Sequence, residues 1–76
     1  MYMVTVNLFK LSENKKIPLD LNNTFFVESP IKLYVHLKHK TAKLNDCNIN
    51  DIYVNVLNTY KLSDDEITYI TNSDMV

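Results

Sequence analysis

Between Glu28 and Asp46 the chain carries no acid, while Lys32, His36, Lys38, His39, Lys40 and Lys43 all fall there. With Tyr34 among them, the segment combines cations and an aromatic ring. A surface that follows a phosphate backbone and stacks a base has this make-up. How the side chains group depends on the local backbone. In an extended strand Lys32, Tyr34, His36, Lys38 and Lys40 share one face, opposite Ile31, Leu33, Val35 and Leu37. In a helix, Lys32, His36, His39, Lys40 and Lys43 gather on one arc instead. Val, Tyr and Ile dominate the segment and good helix formers other than Leu and Lys are scarce, so the strand is the preferred reading. A helix over 30–44, opened by Ser29 as N-cap and Pro30 at its first position, is the alternative.

The same cations have plainer uses. A solvated sheet face is polar, and lysine is a common guard of strand edges. Residues 1–44 carry a net +4 and residues 45–76 a net −5, within a total of −1, so the acidic half could neutralise the basic one. The chain has no Arg, the residue that supplies bidentate contacts to phosphate and guanine. Nucleic-acid binding therefore ranks behind protein binding.

Other chemistry is thinly supported. His36 and His39 with the distant Cys47 are too few ligands for a recognisable metal site, so no metal and no cofactor is expected. Cys47 is the only cysteine and stands near Asp46 and Asp51, which disfavour a thiolate. No disulfide can form within the chain, which fits a reducing compartment. Asp64, Asp65 and Glu66 follow Ser63 as a helix capping box, which accounts for that acid cluster. The chain lacks glycine altogether, so it has no phosphate-cradling loop, dinucleotide fingerprint or nucleophile elbow. Enzyme activity is not expected. Two short patterns remain: Tyr34-Val35-His36-Leu37 fits a tyrosine sorting signal, and Asp74-Met75-Val76 fits a C-terminal carboxylate ligand. Both arise easily by chance.

Ten Asn and eight Lys, with no Gly, Arg, Trp or Gln, indicate an AT-rich genome such as that of a phage, a large DNA virus or a low-GC bacterium. Asn then inherits turn positions, because it tolerates the left-handed region. The 76 residues suffice for one small domain, and 46% hydrophobic content argues for a folded one. No signal-peptide core or membrane span is visible, so a soluble cytoplasmic protein is expected.

The elements that must position these side chains read mainly as strands. Tyr2, Val4, Val6 and Leu8 alternate with polar residues, and so do Ile17, Leu19 and Leu21. Around the polar Ser12–Lys15 turn, with Asn14 left-handed, they form an antiparallel hairpin. Pro18 makes the second strand an edge, because it cannot donate to a ladder. Thr24–Val27 is a further β-prone stretch, Asn45–Asn50 a polar loop, and Ile52, Val54 and Val56 mark a strand running to Tyr60. A short helix from Asp64 to about Thr71 closes the chain, with 72–76 fraying.

The expected fold is α+β, mostly antiparallel: the N-terminal hairpin, two or three further strands and one short C-terminal helix. The alternative is a ββαββ order resembling the β-grasp fold, with a helix at 30–44. The expected function is non-enzymatic protein binding by a viral or phage-type accessory or inhibitor protein. It would act through an exposed strand edge and a lysine-rich face, with a host protein or a second copy as partner. The contact residues are Lys32, Tyr34, His36, Lys38 and Lys40, with Tyr53 and Asn55 beside them if the strands pair. Nucleic-acid binding by the same face is the alternative.

Overall fold

A computed structural model of the chain describes residues 1–68. Strands β1 (Tyr2–Ser12) and β2 (Lys15–Val27) are followed by helix α1 (Pro30–Leu44), a short 3₁₀ turn (Ile49–Asp51) and strand β3 (Ile52–Lys61). The chain is helical again from 64 to 68. The three strands form one antiparallel sheet in the order β2-β1-β3, an α+β arrangement built mostly of strands. The path β2–α1–β3 crosses over β1, so the two outer strands run parallel to each other on either side of it.

The hairpin forms where the alternation of β1 and β2 demands it. Ser12 pairs with Lys15, leaving a two-residue turn in which Glu13 and Asn14 both adopt positive φ (51° and 64°). Such a turn matches the twist of the flanking strands and is ordinarily filled by Asn-Gly or Asp-Gly. Here Glu13 takes a left-handed position without a glycine to relieve it.

β2 is one long edge strand, as Pro18 requires. The stretches on either side of Asn22 and Asn23 are continuous, because two register shifts absorb extra residues between Asp20 and Asn23 and between Pro18 and Asp20. Asn22 sits in the first bulge at φ 55°. The side-chain oxygen of Asn7 accepts its N–H at 2.8 Å, and Asn23 donates to the Asp20 carboxylate at 2.7 Å.

Residues 31–43 are helical, which corrects the strand reading of this segment. Ser29 is the N-cap, its hydroxyl accepting the Lys32 N–H at 3.4 Å, and Pro30 opens the first turn. The reason lies in what the sheet needs. Val4, Val6 and Leu8 project from one face of β1 and need an apolar cover. A helix supplies it with Leu33, Leu37 and Thr41, four residues apart, while Ile31 and Val35 are left exposed. The alternation of Ile31, Leu33, Val35 and Leu37 was thus incidental. At the far end Asp46 is left-handed (φ 51°), and the Cys47 and Asp46 N–H groups donate to the Ala42 and Lys43 carbonyls. This is a Schellman closure with aspartate where glycine is usual.

Only one strand follows α1 among the described residues, so the order there is ββαβ rather than ββαββ. Thr24–Val27, read as a separate stretch, is the end of β2. The expected C-terminal helix begins where its capping box places it. The Ser63 hydroxyl accepts the Glu66 N–H at 3.3 Å, and the Glu66 carboxylate accepts the Ser63 N–H at 3.2 Å. Its extension beyond 68 and the fraying at 72–76 lie outside the described residues.

Candidate docking cleft and cationic helix flank

α1 approaches β3 more closely than β2. The sheet beneath its other side is therefore incompletely covered, and a cleft of about 300 Å³ opens between the C-terminal half of α1 and β2. Leu8, Phe25 and Leu37, part of or packed on the core, and the more exposed Leu19 and Leu44 supply its apolar surface. Asp20, Asn23, Lys40, Thr41 and Asn45 supply its polar surface.

The polar groups are unevenly engaged. Asn45 donates to the Thr41 carbonyl at 2.8 Å, and Asp20 holds Asn23. Lys40 and Asp20 line the same cleft from helix and strand without forming an ion pair. The one ion pair among the described residues joins the Met1 ammonium to Glu28 at 3.5 Å. A cation lining a cleft of mixed apolar and polar character is thus left to solvent or to a ligand.

Helical periodicity extends that cation into a row. Lys32, His36 and Lys40 are four residues apart and project from one flank of α1, the flank that Lys40 shows to face β2. Lys43 lies next to them. Tyr34 packs on the core and Lys38 is half-buried, both turned toward the other flank. The structure therefore brings together three of the expected contact residues, Lys32, His36 and Lys40, and separates Tyr34 and Lys38 from them.

Tyr53 and Asn55 lie elsewhere again. They pair with Phe9 and Asn7, whose side chains project from the sheet face opposite α1. The expected proximity of these two to the lysines is corrected: the thickness of the sheet stands between them. That open face carries Met3, Phe26 and Tyr60 at one end, Thr5 and Thr24 joined at 3.0 Å, and Phe9 and Tyr53 at the other end. The Lys16 ammonium caps the Tyr53 ring at 4.8 Å.

Tyr60 is tied to the end of the described chain. Its hydroxyl donates to the Glu66 carboxylate at 3.1 Å. The adjoining carboxylate raises the phenol above its ordinary range, by accepting its proton in a hydrogen bond and by repelling the phenolate. Glu66 is shifted down, chiefly by the Ser63 N–H and then by the Ser63 side chain; desolvation opposes them, and the Tyr60 hydroxyl adds the smallest lowering effect.

Leu19, Asp20, Asn23, Phe25, Thr41, Leu44 and Asn45 were not singled out by the sequence. Leu44 stands seven residues from Leu37 and four from Lys40, a helical signal that the strand reading suppressed. The remaining sequence motifs do not gather into a second site. No three metal-ligating side chains converge among the described residues, and Cys47 is half-buried with a free thiol. The tyrosine-based pattern is helical, with Leu37 in the core, and the Asp74-Met75-Val76 pattern lies outside the described residues. Among the described residues no helix is long and apolar enough to cross a membrane. Comparison of the chain with family models, curated proteins and solved structures finds no match.

Proposed function

We propose that the chain is a non-enzymatic protein-binding domain that docks an extended segment of a partner against β2 and α1. One observation carries this reading: a cleft of mixed apolar and polar lining, which includes a lysine without an ion pair among the described residues, opens beside a strand edge that no described strand covers. An edge strand offers main-chain donors and acceptors to a partner, and neighbouring pockets take its alternate side chains. An accessory or inhibitory role, of the kind small AT-rich viral and phage genomes encode, agrees with this reading and with the Asn- and Lys-rich composition.

The test is selection from a displayed library of random peptides, with enriched peptides titrated into isotopically labelled protein. The reading expects amide shifts concentrated in 19–27 and 37–45. A lack of enrichment, together with salt-sensitive retention of single-stranded or duplex oligonucleotides, would transfer the function to nucleic acid.

Self-association is a second form of the same reading, favoured by β3. That edge has no proline, and its only charge is Lys61 at the end. A register shift at Leu57 changes which residues share a face. With that shift, antiparallel pairing of two copies matches faces when Tyr53 meets Tyr60 and Val54 meets Thr59. Sedimentation from micromolar to millimolar concentration tests it, and a monomer throughout removes it.

A further inference from the structure

We infer that the segment held by the α1–β2 cleft is acidic, with one bulky aliphatic side chain in the cleft and carboxylates at alternate positions beyond it. This rests on the protein-binding reading and specifies its partner.

The first argument is the length of usable edge. Between Pro18 and Asn22 the strand is interrupted by proline and two bulges, features that discourage pairing. From Asn23 to Val27 it is regular, pairing residue for residue with Val6 back to Tyr2. Five residues of uninterrupted edge therefore remain, ending at the cleft where Asn23 and Phe25 form its strand wall. A chain added there sends every second side chain toward α1. The one nearest Leu8, Leu37 and Leu44 enters apolar surroundings.

The second argument is charge in register. α1 begins two residues after β2 ends, and Leu44 shares the cleft with Leu19, so the helix runs back along β2. Lys32, His36 and Lys40 recur about every 6 Å along its flank, at 1.5 Å of rise per residue. Alternate side chains of an extended segment recur at about 6.7 Å. The two repeats stay in step over the five-residue edge, so successive carboxylates run past the Lys40 and Lys32 ammonium groups with the His36 ring between them. No acid of α1 competes for them, since none stands between Glu28 and Asp46. Asp20 lies at the cleft end, where it opposes a carboxylate entering the cleft and leaves the aliphatic side chain favoured there.

The experiment uses blocked seven-residue peptides, Thr-Leu-Thr-Glu-Thr-Glu-Thr and its reversed order, titrated into labelled full-length protein. Counterparts carry Lys for Glu, or Ala for Leu. The expected result is binding by a glutamate peptide with shifts at Asn23, Phe25, Leu37 and Lys40, and a weaker response for both counterparts. A Lys32→Gln/Lys40→Gln protein, altered only at exposed positions, should bind the glutamate peptide about three- to tenfold more weakly. Equal binding of glutamate and lysine peptides would overturn the acidic partner yet leave strand docking standing. Failure of these peptides while library-selected neutral peptides shift the same residues would do likewise. If neither designed nor selected peptides perturb the cleft, the protein-binding reading falls with the inference.

Discussion

Asn7 of the central strand accepts the backbone N–H of Asn22, in the bulge of the edge strand, at 2.8 Å. The bond ties the ladder together where its register slips, and it leaves Asn22 at φ 55°. Asn7→Ala should cost about 0.5–1 kcal/mol, the usual net worth of such a bond. Asn22→Val should cost more, about 1–2 kcal/mol, because a β-branched residue tolerates the left-handed region poorly. Urea unfolding of the two variants checks the order. Equal costs would mean that the bulge relaxes when its side chain changes.

The hairpin turn has a simple correction available. Replacing Glu13-Asn14 by an Asn-Gly pair (Glu13→Asn together with Asn14→Gly) supplies the residues this two-residue turn prefers. A gain of about 0.5–1 kcal/mol and a higher Tm are expected. Thermal melts of the double variant beside the parent chain measure it.

Glu66, held chiefly by Ser63 and bonded to Tyr60, makes stability depend on pH in both directions. Glu66 is shifted down in the folded chain, so its contribution is present above the ordinary carboxylate pKa and is lost as pH falls through the folded value. Tyr60 is shifted up, so its contribution is present below the ordinary phenol pKa and is lost as pH rises through its folded value. Glu66→Gln should flatten the acid limb and reduce the upward displacement of the Tyr60 phenol, leaving the part due to desolvation. Thermal melts across the acid range and ultraviolet titration of the phenols measure the two effects.

Cleft and core can be separated by two leucines on α1. Leu37 is buried with Val4, Val6 and Leu8, whereas Leu44 is 76% exposed. Leu37→Ala should cost about 2–4 kcal/mol through the cavity it leaves. Leu44→Ser should change stability by less than about 0.5 kcal/mol, as surface substitutions generally do. If the cleft takes an aliphatic side chain, Leu44→Ser weakens peptide binding in a fully folded protein. Calorimetry and peptide titration on the same samples distinguish the two roles.

Local signals made the hairpin, the edge at β2, the strand before Tyr60 and the Ser63 capping box legible. Each rests on neighbours within a few residues: the alternation of Tyr2 to Leu8, the missing donor of Pro18, the Ser63–Glu66 spacing. α1 was harder, because Ile31, Leu33, Val35 and Leu37 satisfy a strand repeat and a helical cover at once. Only the buried face of β1 decides between them, and that is a tertiary fact. Ser29-Pro30 was the local hint, and it was sound. The cleft was illegible for the same reason. It arises from where α1 sits across the sheet, which no spacing in Pro30–Leu44 encodes. Lys32, His36 and Lys40 share a flank only on the helical arc, while the expected place of Tyr53 and Asn55 beside the lysines depended on residues 31–43 being a strand.

Because β1 pairs with both β2 and β3, its two sides are completed at different times. β2 is joined to it by a two-residue turn, but β3 arrives only after α1 and the 3₁₀ turn have been traversed. Closing the longer loop carries the greater entropic cost, so the hairpin precedes the third strand in folding. In the interval the middle strand has a bare flank that Ile52–Lys61 of another molecule fits as well as its own. Refolding at high protein concentration should therefore yield exchanged dimers, whose share falls on dilution before the chain is allowed to collapse.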